Sequence, residues 1–280
     1  MIRGLTRAGL GDVGSNADFI RQAANFGFQS VDLNPLAFIR EVGQEEAVMM
    51  LKSHGVRIGS FDLEVDWRNS EKQFLDSLKS LSEVAEAAAS LQCFKCCTYI
   101  LPSTDQPAAL FMIAATRRLR LVADVLGAYG ISLGLEFVGS HHLRTQWANP
   151  FLWTMKDTLG WIEAIGARNT GLLLDSYHWY TNGLSTDDLL QLRAEDIVHV
   201  HINDAKDLPI AELLDHERLY PGEGVIDLAG FLESLRKIGY KGAVAQEVLA
   251  PSSGQSREEL LARSRAGFDQ VFGADESILA

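Results

Sequence analysis

The sequence predicts an α/β chain folded as a (β/α)8 TIM barrel, and three observations carry that prediction. Eight short apolar runs of strand length alternate with segments of helical periodicity from end to end. No Pro/Gly/Ser-rich linker interrupts them, so residues 1–280 read as a single domain. Side chains that bind metals or move protons stand at the carboxyl ends of the later runs, where parallel α/β folds keep their active sites.

The elements follow in order. Ile2–Ala8 is the first strand and Ala17–Phe26 the first helix. Gln29–Leu33 is the second strand, followed by a helix near Gln44–His54. Val56–Leu63 is the third, with a long helix from about Glu71 to Leu91. Cys93–Leu101 is the fourth, ended by Pro102, and a helix covers Ala108–Tyr129. Ile131–Phe137 is the fifth, then come a long loop to Pro150 and a helix near Leu152–Ile165. Gly171–Leu174 and Ile197–Ile202 are the sixth and seventh, with a short helix between them opened by the capping run Ser185-Thr186-Asp187-Asp188. Leu228–Ile238 is helical behind the cap Asp227, Ala243–Leu249 is the eighth strand, and Arg257–Phe272 the last helix. The stretch Gly9-Leu10-Gly11-Asp12-Val13-Gly14 matches the GxGxxG pattern of open nucleotide-binding sheets, but no acidic residue is read at the end of the second strand, and it reads as a barrel-top loop.

Composition narrows the partners. At 280 residues and 47% hydrophobic, the chain can bury a large core. A formal net charge of −12 leaves no basic stripe for nucleic acid. The longest apolar stretch, Ala108–Ala115, is too short for a bilayer, and the N-terminus lacks the apolar core of a secretory signal, which predicts a cytoplasmic protein without a membrane partner. The sequence leaves room for a homo-oligomer. Cys93, Cys96 and Cys97 read as small apolar strand residues, because Cys93 and Cys96 fall on opposite faces.

Closing the barrel would gather Asn34, Asp62 or Glu64, Glu136, Asp175, His201 and Glu247 at one mouth. Parity turns four of them inward. Glu136 shares a face with Gly134 and Ser132, and Glu247 with Ala245 and Ala243, while branched neighbours point to the helices. Three carboxylates crowded into an apolar mouth repel and lose hydration, and a divalent cation resolves both. His201 completes the set; His199, on the same face, reads as a core residue. Three oxygen donors and one imidazole suit one Mn²⁺, Mg²⁺ or Co²⁺, with Zn²⁺ also compatible. Such an ion would chelate a carbonyl and its neighbouring hydroxyl and stabilise an enediolate, with Glu136 and Glu247 as base and acid on opposite faces of a small substrate. Trp147, Trp153 and Trp179 read equally as stacking platforms at the mouth or as packing aromatics.

The segments GLEF, LLLDSYHWY, IVHVHINDA, LYPGEGVIDLAGFLESLRKIGY and QEV resemble the xylose-isomerase-like sugar isomerase/epimerase superfamily. The resemblance runs over nearly the whole chain and implies a TIM barrel holding one divalent ion, often manganese, with Glu136, Asp175, His201 and Glu247 as its ligands. It also implies that His178 touches substrate hydroxyls. The ketose 3-epimerase pattern is not kept at Asp207 or His142, where that group carries an arginine and a glutamate. Arg218 is the only nearby arginine and reads either as a substrate contact or as a surface salt bridge. The superfamily's three-zinc endonuclease pattern needs histidines that FDLEV and CCTYI do not supply. The expected activity is a metal-dependent sugar or polyol isomerase or epimerase. The alternatives are a dehydratase of the inosose or dehydroshikimate type, with the loop His141-His142-Leu143-Arg144 as acid, and a non-catalytic sugar-binding barrel.

Overall fold

The strands pair by burying continuous apolar runs on both faces, as parallel strands wrapped by helices require. The computed structural model describes residues 1–250 and 254–273. Its strands are β1 (Ile2–Leu5), β2 (Ser30–Val31), β3 in two halves (Arg57–Ile58 and Phe61–Asp62), β4 (Lys95–Ile100), β5 (Ser132–Phe137), β6 (Thr170–Asp175), β7 (Ile197–Ile202) and β8 (Ala243–Gln246). All pair in parallel, in the order β2-β1-β8-β7-β6-β5-β4. The first half of β3 pairs with β2 and the second half with β4, so one interrupted strand closes the barrel. The TIM barrel read from the sequence is therefore present.

The helices pack outside. They are α1 (Asn16–Asn25), α2 (Pro35–Val42), α3 (Gln44–His54), α4 (Glu71–Leu78), α5 (Leu81–Ser90), α6 (Ala108–Gly127), α7 (Met155–Ile165), α8 (Ser176–Thr181), α9 (Thr186–Leu189), α10 (Leu228–Lys237) and α11 (Arg257–Phe272). The main apolar core lies between helices and strands, with Phe19, Phe38, Phe137, Phe231 and Phe268 fully enclosed. Inside the barrel, Cys97, Leu173 and Val198 form a separate small cluster. Gly134 leaves them room, because a Cβ there would stand 3.0 Å from Cys97 Sγ and 3.3 Å from Val198 Cβ. All three cysteines are free and buried, and burial pushes the Cys93 thiol up to about 12, as the apolar reading expects.

Three helical expectations are revised. The sequence reading has no helix at 35–42, yet Asn34 Oδ1 accepts from the Ala37 N–H at 2.9 Å and Pro35 opens the first turn, which makes α2. The long helix over 71–91 divides at Lys79–Ser80 into α4 and α5. The helix placed over 185–193 stops at Leu189, and a different one, α8, starts directly behind β6. No helix among the described residues is long and apolar enough to cross a membrane.

Candidate metal centre

Four successive strands deliver four side chains that could hold a metal ion. Glu136 is near the end of β5, Asp175 ends β6, His201 lies near the end of β7, and Glu247 directly follows β8. One ligand atom of each lies within 4.8 Å of the others. His201 Nδ1 stands 3.5 Å from Glu247 Oε1 and 3.9 Å from Glu136 Oε1. Glu136 Oε1 and His201 Nδ1 are both buried without a hydrogen-bond partner. Orphaned polar atoms at this depth are uncommon, and two facing each other amid further carboxylates fit a cation between them.

The electrostatics follow from this crowding. Burial, then the charges of Glu247 and Asp175, push the Glu136 carboxyl well above the usual range. Burial would also raise Glu247, but His201 and Arg218 outweigh it and hold that carboxyl below the usual range. Burial opposes charge on His201 too, yet Glu247, Asp32 and Glu136 raise it well above an ordinary histidine.

Neighbouring groups fix the ligands. Asp175 caps α8, with Oδ1 accepting from the N–H groups of Tyr177 at 2.7 Å and His178 at 3.3 Å. Its Oδ2 accepts from Asn203 Nδ2 at 2.9 Å and from Arg218 Nη1 at 3.1 Å. Arg218 also donates to Glu247 Oε2 at 2.8 Å and Asp215 Oδ1 at 2.9 Å, and its side chain is only 1% exposed. The surface salt bridge that the sequence allowed for Arg218 is thus a buried one, inside the site. His178 is buried as well. Its Nδ1 accepts from the Gly139 N–H at 3.2 Å, and its Nε2 lies 3.2 Å from Arg218 Nη2 and 3.7 Å from Asp215 Oδ1. Burial lowers its basicity and keeps it neutral.

Asp32 is the residue that sequence reasoning missed. Its Oδ2 lies 2.8 Å from His199 Nε2 and 3.3 Å from His201 Nε2. Burial would raise this carboxyl, but the two imidazoles hold it below the usual range. An ionised Asp32 takes the Nε2 hydrogen of His201, which leaves Nδ1 for a ligand. His199 is an enclosed core residue as expected, with Asp32 as its hydrogen-bond partner. The signal was available: Ser30, Asp32 and Asn34 alternate on one face, and an aspartate ends the second apolar run after all. The break in β3 completes this corner, where the Ser60 N–H donates to Asp32 Oδ1 at 3.0 Å. Gly59 is required there, since a Cβ would stand 2.5 Å from Ser30 Oγ and 2.6 Å from Asp32 Oδ1.

The ligands open into a cavity of about 440 Å³, lined also by Asp62, Arg68, Tyr99, Leu143, His178 and Leu249. Asp62 is raised by burial, whereas Glu64 turns away to accept from Asn34 Nδ2 at 2.8 Å. None of the three expected tryptophans lines this cavity. Trp179 packs on Phe231, Trp153 lies under Arg144, and Trp147 borders a neighbouring cavity. Each sits on a segment whose outward face meets helices or the rim. Of the loop 141–144, Leu143 reaches the cavity, while Arg144 is spent on the Gly139 and Thr181 carbonyls.

The model of the xylose isomerase-like TIM barrel family matches residues 20–270. The chain belongs to that family. A solved xylose isomerase domain protein from Alicyclobacillus acidocaldarius is similar over 97% of this chain and 98% of its own, with a TM-score of 0.89 and 34% identity. The IolI protein solved with a zinc atom shares the fold, with a TM-score of 0.81, 21% identity, and coverage of 97% of this chain and 98% of its own. Among curated relatives, an inosose isomerase of Bacillus velezensis is 33% identical over 130 residues, which are 46% of this chain and 44% of that protein. The match thus spans under half the length of that relative. Membership supplies the fold and an enzyme ancestry; the reaction has to come from the site.

Proposed function

We propose that this chain is a divalent-metal-dependent isomerase or epimerase of a sugar or cyclic polyol ketone, acting as one domain over residues 1–280. The observation that carries the reading is the pair of orphaned, facing atoms, Glu136 Oε1 and His201 Nδ1, within a four-ligand cluster at the floor of a cavity of small-molecule size. The zinc bound by the IolI neighbour and the inosose activity of the curated relatives support it.

Glu136, Asp175, His201 and Glu247 would hold the ion, with Mn²⁺ favoured by the oxygen-rich set and Zn²⁺ compatible. When bound, the cation supplies Lewis-acid polarisation of a substrate carbonyl and its neighbouring hydroxyl. The protein moves the proton. Environments that push two carboxyls apart mark a base and an acid. Glu247, held ionised by His201 and Arg218, takes the proton next to the carbonyl; Glu136, on β5, returns one. Arg218 anchors Asp175 and Glu247 in place, and His178, on the cavity wall, contacts a substrate hydroxyl. Apolar Leu63, Val138, Leu173 and Leu249 limit water around the reacting carbon.

Two measurements test this. Purified protein should take up about one Mn²⁺ or Zn²⁺ per chain and gain melting temperature by mass action. Asp175→Ala combined with His201→Ala should abolish both effects; one equivalent still bound at native affinity would show that the ligands are assigned wrongly. Next, scyllo-inosose and ketoses are incubated in D₂O. Wild type should exchange the hydrogen beside the carbonyl, Glu136→Gln should exchange it slowly without product, and Glu247→Gln should do neither. Substantial turnover by both variants removes the proton-transfer role. Release of water with an ultraviolet-absorbing product assigns the dehydratase reaction instead.

A further inference from the structure

Arg68 stands on the segment after β3, at the wall shared by the metal-site cavity and a second one of about 350 Å³. Its guanidinium is wedged between two aromatic faces, with Cζ 4.3 Å from the Trp67 ring centroid and 4.1 Å from that of Tyr99. Nη2 donates to Thr98 Oγ1 at 3.0 Å and to the Tyr99 carbonyl. Thr98 Oγ1 is itself fixed by the Trp67 Nε1–H at 3.1 Å. The group therefore has a set orientation.

What it lacks is an anion. Arg68 makes no ion pair with any carboxylate among the described residues, although the chain carries 37 acidic residues against 25 basic ones. Its Nε is buried without a partner, and Nη1 has no acceptor among the described residues. The other arginine of the cavity, Arg218, is saturated by Asp175, Asp215 and Glu247. A partly buried, immobilised cation with no acid in contact is electrostatically incomplete, and burial lowers its basicity by more than Tyr99 and the nearby charge of Asp66 raise it. Stacking on aromatic rings orients the guanidinium and leaves Nη1 for an anion.

We propose that Arg68 is a specificity-determining residue of this site and binds a carboxylate carried by the substrate, so that the preferred substrates are cyclic polyol or sugar acids and not neutral polyols. A carboxylate fits better than a phosphate. The one nitrogen left over, Nη1, matches a singly charged group, whereas phosphate sites gather several N–H donors from a helix N-terminus or glycine-rich turn. The assignment rests on the reading of the mouth cavity as the substrate site, but not on the metal.

The test is calorimetric titration of the full chain, with and without Mn²⁺, using quinate as the acid, myo-inositol as the neutral polyol and inositol 1-phosphate as the phosphate. Quinate should bind tighter than myo-inositol by about tenfold to a hundredfold, as a charged hydrogen bond supplies. Arg68→Met should erase that preference while melting temperature and Mn²⁺ uptake stay near wild type, and Arg68→Lys should restore part of it. Equal binding of quinate and myo-inositol, no binding of quinate, a preference for the phosphate, or a preference that survives Arg68→Met would each overturn the assignment. Because the preference is expected with and without Mn²⁺, a failure of metal uptake sinks the metal-centre reading alone. Normal uptake without any preference sinks only this one.

Discussion

Asp32→Asn is the most informative single substitution, because it changes no volume and removes one charge beneath the metal ligands. In the wild type, Asp32 Oδ2 receives His199 at 2.8 Å and His201 at 3.3 Å. Each is a hydrogen bond to an ionised acceptor, contributing about 1.5–3 kcal/mol. Asparagine keeps one acceptor oxygen: turned toward the two imidazoles it sets its amide NH2 against the Ser60 N–H that donates to Oδ1, and turned the other way it sets that NH2 against both imidazoles. The expected loss is roughly 2–4 kcal/mol, read by urea unfolding in the presence of a chelator. The larger signal concerns the ion. Without the carboxylate, nothing holds the hydrogen of His201 on Nε2, and Mn²⁺ affinity should fall about 10- to 100-fold by calorimetry. His199→Ala provides the contrast: it opens a cavity and lowers stability, yet the Asp32–His201 contact persists, so affinity should fall much less. An Asp32→Asn protein that is less stable but binds Mn²⁺ within about twofold of wild type would refute the positioning argument, since such partners matter by tenfold or more.

Metal affinity should rise with pH. His201 is raised well above its ordinary value, so the ion must displace a proton that the folded protein holds, and affinity should climb about tenfold per pH unit until the folded value is passed. The sign for stability is opposite: in chelator, the His201 contribution is fully present below the unfolded value of about 6.5 and is lost as pH rises through the folded one. Urea midpoints that increase from pH 6.5 to 8 in chelator would contradict this. Gly59→Ala should destabilise the protein by about 1–3 kcal/mol, because its Cβ would press on Ser30 Oγ and Asp32 Oδ1. It should also weaken Mn²⁺ binding by displacing Asp32; unchanged affinity by calorimetry would mean that the corner relaxes without moving the carboxylate.

The alternation of strands and helices, and the inward parity of Glu136 with Gly134 and of Glu247 with Ala245, are period-two facts that need no tertiary information. That is why the barrel and the cluster of Glu136, Asp175, His201 and Glu247 were legible in the chain, and the structure brings those four ligand atoms within 4.8 Å. Helix boundaries were less legible. The capping of α2 by Asn34 and of α8 by Asp175 depends on side chains that double as strand-end residues, and periodicity does not separate the two uses. Partner choice was not legible at all. Arg218 joins Asp175, 43 positions away, because the loop behind β7 folds back over the mouth; Asp32 meets His199, 167 positions away, because β2 and β7 face each other across the barrel. Among the described residues, Arg68 goes without an acid in contact for the same reason. A sequence states which charges a chain owns and which face of its own element each one shares. Which charges neutralise one another is set by barrel closure, since electrostatic and hydrogen-bond energies act over a few ångströms of space and are indifferent to separation along the chain.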